Sequence, residues 1–204
     1  MIRVPPHFDF VDLRRTPAEL RESFKSLGWS RIVAFQTRTP LHRADEELTR
    51  RAIEWTGGGL LIHPIVGIAR PGDVDHYTRI RCYRALVDNH YDPGTVVLNL
   101  LPLATRDAGP LDALLSAIVH RNHGCTDLIV KRGHDGDDAS QQAMADHKDE
   151  IGIGTVELGR MVYLPAENRY CPVDEVPKGV GSSDITEAEV LEKYLAKGLP
   201  LPEW

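Results

Sequence analysis

The sequence predicts an α/β fold in which a parallel sheet is covered by helices on both faces. Three observations lead there. Residues 32–35, 60–62, 95–98 and 128–130 are short apolar runs with the length and branched content of buried strands. Longer stretches with apolar residues at helical spacing separate them. Strands that lack polar alternation and alternate with helices belong to parallel sheets buried on both sides.

Taken in order, residues 1–29 form a lead-in segment with one helix. Thr16-Pro17 is a cap and first-turn pair, Leu20, Phe24 and Leu27 follow at helical spacing, and Gly28 stops the run. The strand at 32–35 leads through a polar turn into a helix over about 42–55, which Gly57-Gly58-Gly59 breaks. Residues 60–62 make the second strand, ending at His63-Pro64. Pro71-Gly72 marks a loop, and Asp73 or Asp75 caps a helix carrying Tyr77, Ile80, Tyr83 and Leu86. Asp92-Pro93-Gly94 turns into the strand at 95–98. A loop over 101–110 precedes a helix built on Leu111, Leu114 and Ile118, which Gly124 ends. The strand at 128–130 runs into Lys131-Arg132-Gly133-His134-Asp135-Gly136. Residues 137–150 are polar with weak helical character. Residues 156–158 and 161–164 are strand candidates, and 182–197 reads as a capped helix ending at Gly198.

At 204 residues the chain suits one well-filled domain. Its net charge of -6 argues against broad electrostatic capture of nucleic acid. Cys82, Cys125 and Cys171 are odd in number and lack a paired metal spacing, which points to a reducing compartment. The opening MIRVPPHFDF has no signal pattern, and no apolar run approaches bilayer-spanning length. A cytoplasmic protein without a membrane partner is the expectation.

Parallel α/β sheets bind ligands at the carboxyl ends of their strands. The polar residues cluster there: Gln36, Arg38 and His42 after the first strand, His63 after the second, Asn99 to Arg106 after the third, Arg132 and His134 after the fourth. A strand feeding a polar turn and a helix N-terminus favours an anion, because free N–H groups and the helix dipole both face it. Arg38 adds a planar fork suited to an oxyanion. Asp45 lies on the helical face of His42 and either orients it or satisfies the dipole. His63-Pro64 also fits plain strand punctuation. Asp73, Asp75 and His76 fit turn and cap roles better than a metal site. Arg106 precedes Gly109-Pro110 at a helix start near a ligand or at any helix start. Gly133 and Gly136 permit close backbone approach beside Arg132 and His134. Cys125 opens a buried strand and reads as a structural thiol. P-loop, dinucleotide-binding and nucleophile-elbow patterns are absent.

From about Phe10 to Trp204 the chain resembles the catalytic domain of ATP sulfurylases. FQTRTPLHRADE is similar to that family's Q-x-R-N-P-x-H-x-x-H-E motif, and LIHPIVG with PGDVDHYTR resembles its IHP segment and following loop. LPLATRDAGPLDALLSAIVHRNHGCTDLIVKRGHDG resembles its P-x-x-M-R-x-A-G-P, R-x-N-x-G-x-T and G-R-D-H-A-G stretches, and VPKG and PEW resemble its tail. The resemblance implies a Rossmann-like nucleotidyltransferase domain over 30–204 that transfers AMP from ATP to sulfate, with Mg²⁺ arriving with the ATP. It implies that Gln36 and Arg38 hold the sulfate, that His42 binds phosphate oxygens and stabilises the transition state, and that Arg132 and His134 complete the nucleotide and sulfate pocket, with His42, Arg38 and Arg132 as the catalytic candidates and Thr39 as a substrate-binding one. His63 and Arg106 lie in matching segments and count as substrate-binding candidates, and the backbone around Val162 would face the adenine. A homo-oligomer is expected on the same ground. The chain departs from the pattern at Thr39 for Asn, Asp45 for His, and Lys131, Gly133 and Asp135 for the loop's Gly, Asp and Ala. It also carries Thr186 to Leu191 where the family has S-G-T-x-x-R. These departures admit two other readings: a transferase retuned to a phosphonate or carboxylate, and a degenerate module that binds nucleotide or anion without turnover.

Overall fold

The computed structural model describes residues 9–67, 73–104, 108–131, 138–184 and 189–202, the Leu191 side chain excepted. The elements in chain order are α1 (Pro17–Ser26), β1 (Ile32–Thr37), α2 (Arg43–Thr56), β2 (Gly59–Pro64), α3 (His76–His90), β3 (Val96–Leu98), α4 (Pro110–Asn122), β4 (Asp127–Ile129), α5 (Ala139–Asp146), α6 (Lys148–Ile151), β5 (Gly154–Val156), β6 (Met161–Leu164) and β7 (Arg169–Pro172). The first five strands form one sheet in the order β3-β2-β1-β4-β5, every pairing parallel.

Period-two alternation divides the apolar strand residues between two cores. Val33, Phe35, Leu60 and Ile62 face α2 and α3, packing with Leu48, Ala52, Ile80 and Tyr83. Ile32, Ala34, Leu61 and Leu128 face the other way, onto Leu20 and Phe24 of α1, Ala117 of α4 and Met144 of α5. The sheet is therefore covered on both faces, as expected. The lead-in helix belongs to this packing. Thr16 and Glu19 cap α1 reciprocally at 3.3 and 2.7 Å. Trp29 then stacks on Phe24 and closes over Gly59, where a Cβ would come within 2.1 Å of the indole.

Three segments differ from expectation. β5 begins at Gly154, earlier than the 156–158 run, because Asp127 and Leu128 of β4 pair with Gly154 and Thr155. β7 was not foreseen. It is short, begins with exposed Arg169, and pairs antiparallel with β6 through a turn at Asn168, whose φ is 49°. The hairpin packs Met161, Tyr163 and Tyr170 against the α2 face.

The single helix expected over 182–197 does not form. Ser183 instead bridges Tyr163 as a further strand contact, and the described remainder is a π-turn, Val190–Tyr194, and a 3-10 turn, Leu195–Lys197, ended by Gly198. Leu195 is exposed and Val190 only part-buried, so the described residues of this segment do not present the buried apolar face that sustains an α-helix. Ile185 lies outside the described residues.

Candidate active site

The strand order reverses direction at β1: β2 and β3 lie to one side, β4 and β5 to the other. In open parallel sheets the crevice outside the carboxyl ends at such a reversal receives the ligand. Here that crevice is bordered by the turn after β1, which carries Arg38 to His42, and by Lys131, two residues past β4.

The turn is held from behind by its carbonyls. Ile65 N–H donates to Thr37 O at 2.8 Å, Arg79 Nη1 donates to Arg38 O at 2.7 Å, and Tyr83 Oη donates to Thr39 O at 2.8 Å. Thr37 Oγ1 adds a bond to Thr39 O at 2.9 Å. Arg79 and Tyr83 come from α3 and are buried. With carbonyls bound on the protein side, the turn's shape is set before any ligand arrives.

Arg38 pairs with Asp73 at 3.0 Å and remains half-buried. Gln36 lies two residues upstream, and its Oε1 is buried without a hydrogen-bond partner among the described residues. His42 sits at the N-cap of α2 in extended backbone. Its backbone N–H donates to Asp45 Oδ2 at 3.5 Å, and its ring Nε2 lies 3.6 Å from the same oxygen. The other oxygen of Asp45 takes the Lys131 ammonium at 2.6 Å. That ammonium also stands 5.1 Å from the centre of the Phe35 ring. Burial pushes the Asp45 carboxyl up, but Lys131 and His42 outweigh it and hold the group below the usual carboxylate value.

Arg106, Arg132 and His134 lie outside the described residues. His63, expected among the substrate contacts, is wholly buried. It is paired in register with Gln36, and the alternation of β2 turns its side chain into the α4 side, where its ring lies 5.1 and 4.9 Å from those of His120 and His123. Its tautomer follows from its neighbours. Asn99 Oδ1 accepts from Arg15 N–H at 2.8 Å, which makes Nδ2 the donor to His63 Nε2 at 3.3 Å and leaves the ring proton on Nδ1. Val162 is buried in β6 in a small cluster with Leu164 and Cys171. Thr39 contributes its carbonyl to the turn's bracing.

Asp75 caps α3 by accepting from Tyr77 and Thr78 N–H at 3.0 and 3.1 Å, and His76 Nε2 meets Asp9 at 2.5 Å. Asp73 is a site residue that sequence reasoning placed in a turn; its contact with Arg38 spans 35 positions and left no local signal. Arg79, Tyr83 and Lys131 were missed for the same reason. Cys125 is buried, and burial pushes its thiol up to about 12, as suits a structural thiol. A separate open cavity of about 930 Å³ lies between α1, α3 and β3, lined by Asp12, Arg15, Glu19 and Arg84; it touches none of the turn residues.

The comparisons with known proteins bear on this geometry. A family model described as ATP-sulfurylase matches residues 11–204. The chain is 48% identical over 210 residues to a sulfate adenylyltransferase of Neurospora crassa, covering 97% of this chain and 36% of that protein. A sulfate adenylyltransferase of Yarrowia lipolytica is 47% identical over the same shares. Among solved structures, one titled "Hexameric APS kinase from Thiobacillus denitrificans" superposes with a TM-score of 0.79 at 34% identity, over 98% of this chain and 38% of that one. The chain thus spans about a third of the length of these relatives.

Proposed function

The chain belongs to the ATP-sulfurylase family, and from that premise we propose that it transfers AMP from Mg²⁺-bound ATP to sulfate, giving adenylyl sulfate and pyrophosphate. The observation that carries this reading is the braced turn from Arg38 to His42 at the reversal point of the sheet. One sulfate oxygen bonds to the α-phosphorus while the bond from that phosphorus to the β-phosphate's bridging oxygen breaks, and pyrophosphate leaves. Sulfate is fully ionised at neutral pH, so the attack needs no general base. What remains for the protein is to align two anions that repel each other and to stabilise the charge that grows on the phosphoryl oxygens.

On this reading Gln36 and Arg38 hold the sulfate. The guanidinium carries five N–H donors, and Asp73 is met through Nη1. His42, at the positive end of α2, faces the phosphoryl oxygens. Thr39, Arg106, Arg132 and His134 complete the anion pocket, and the backbone around Val162 faces the adenine. Buried His63 acts through the strand it anchors rather than by contact. Mg²⁺ is part of the nucleotide substrate. No described helix is long and apolar enough to cross a membrane. Three cysteines without a disulfide favour a reducing, cytoplasmic setting, and the net charge of -6 disfavours nucleic acid. Assembly into a homo-oligomer belongs to the same proposal.

The test is to incubate the 204-residue chain with ATP, Mg²⁺, pyrophosphatase and a panel of oxyanions that includes sulfate, phosphonates and carboxylates. Sulfate-dependent phosphate release with an adenylyl sulfate product is expected. Release with another acceptor alone would reassign the substrate, and ATP binding without release from any acceptor would remove the enzymatic reading.

A further inference from the structure

We propose that Lys131 contacts the phosphates of the nucleotide, and that buried Asp45 serves to hold its ammonium at the mouth of the crevice. This rests on the nucleotidyltransferase reading above and names a further substrate-binding residue within it.

The two residues approach the reversal point from opposite sides. Asp45 stands in the first turn of α2, which follows β1, and Lys131 leaves the end of β4, the strand that flanks β1 on the other side. Their 2.6 Å contact therefore bridges the crevice where an open parallel sheet takes its ligand. The pair is asymmetric. Asp45 is 4% exposed, while the Lys131 side chain is 40% exposed. A carboxylate that deeply buried is costly, and apolar packing of equal volume would serve stability as well or better. What the carboxylate provides is placement. Its two oxygens face Lys131 and His42, so one group arrays both donors on the same side of the turn.

The Phe35 ring supports the ammonium from the sheet, 5.1 Å away. Lysine normally gives up much side-chain freedom when it grips a phosphate. Here Asp45 and Phe35 have already restricted it, with a large fraction of the side chain still open to solvent. The sign of charge agrees. A bare carboxylate in this position would repel a triphosphate, and Lys131 cancels that charge at the point of approach.

Four chains test the idea: wild type, Lys131→Met, Asp45→Asn and the double variant. Each is measured for denaturant stability and for ATP and pyrophosphate binding by displacement of a fluorescent ATP analogue. Lys131→Met should weaken ATP binding about tenfold, as expected for loss of one charge-assisted contact, and should destabilise the fold by leaving Asp45 uncompensated. The double variant should recover the stability, since neither charge remains, without recovering the affinity. A purely structural ion pair predicts the opposite, with affinity returning alongside stability, and that result would overturn the proposal. Lys131→Arg keeps the charge and should lose less ATP affinity than Lys131→Met; a loss as large as that of Lys131→Met would count against a phosphate contact even if the double variant does not fold. Wild-type binding with an unaffected Lys131→Met overturns this inference alone. A wild type that binds neither ATP nor pyrophosphate overturns the nucleotidyltransferase reading with it.

Discussion

At the scale of single residues, Arg38 and the buried histidines make opposite kinds of claim. Arg38 is half-buried, paired with Asp73 and placed on a braced turn, so its truncation removes a charge without removing core contacts. Arg38→Ala should abolish sulfate dependence while ATP affinity changes by less than about threefold; equal loss of both, read by isothermal titration with each ligand, would assign the guanidinium to the nucleotide instead. His63 and His120 are held neutral. Burial lowers His63 well below 6.5, with His120 and His123 adding repulsion, and burial lowers His120 to about 4 despite the Ser116 carbonyl that accepts from its Nδ1. Because their folded values lie below the unfolded one, the unfolded chain takes up protons first. Stability is therefore unaffected by these groups above pH 6.5 and falls as pH drops from 6.5 toward 4. At pH 5.5 the His120 imidazole costs about 1.4 kcal/mol, and His63 adds a cost of the same sign. Denaturant midpoints between pH 7.5 and 5 should fall accordingly, and a flat profile would show that the cluster accepts protons in the folded state.

At the scale of elements, the first four strands and the helices between them were readable because burial on both faces writes itself as unbroken apolar runs and helical periodicity. β7 was not, because it is short and opens with exposed Arg169. The tail carried a helical pattern that misled, since Leu195 stays exposed and its described residues form only a π-turn and a 3-10 turn. The site was half legible. Gln36, at the end of β1, and Arg38 and His42, in the turn after it, form a local pattern. The contacts that make the turn rigid come from α3, and Asp45 and Lys131 are each only a departure from a motif until β1 and β4 are known to be neighbours. Sequence distance hides such pairs. The bracing by α3 has its own consequence. Arg79→Met leaves the Arg38 carbonyl without its donor and should cost about 1–3 kcal/mol of stability, and Tyr83→Phe about 1 kcal/mol. Neither side chain faces the crevice, so both variants should lower kcat through a misplaced turn while ATP binding is largely kept. Unchanged turnover in a folded Arg79→Met would show that the turn keeps its shape without α3.

At the scale of the whole molecule, the question is where the folding unit begins. The sequence divides a lead-in at 1–29 from the sheet, but the packing crosses that line. Leu20 and Phe24 are buried against Ala34, Leu61 and Leu128, Leu13 sits in the opposite core, and Leu100 N–H donates to Leu13 O at 2.7 Å. The lead-in also reaches the histidine cluster, since Asn99 joins Arg15 on one side and His63 on the other. Removing residues 1–29 would expose one face of the central strands over the area α1 covers. Burying a side chain the size of Leu or Phe contributes about 1.5–3 kcal/mol, so losing Leu13, Leu20 and Phe24 removes about 5–9 kcal/mol, comparable with the whole stability of a typical domain. A chain starting at Ser30 should therefore lose cooperative unfolding and bind an apolar dye. Cooperative unfolding of the shorter chain with an unshifted midpoint would show that α1 is an appendage and that the sheet with its remaining helices is the folding unit.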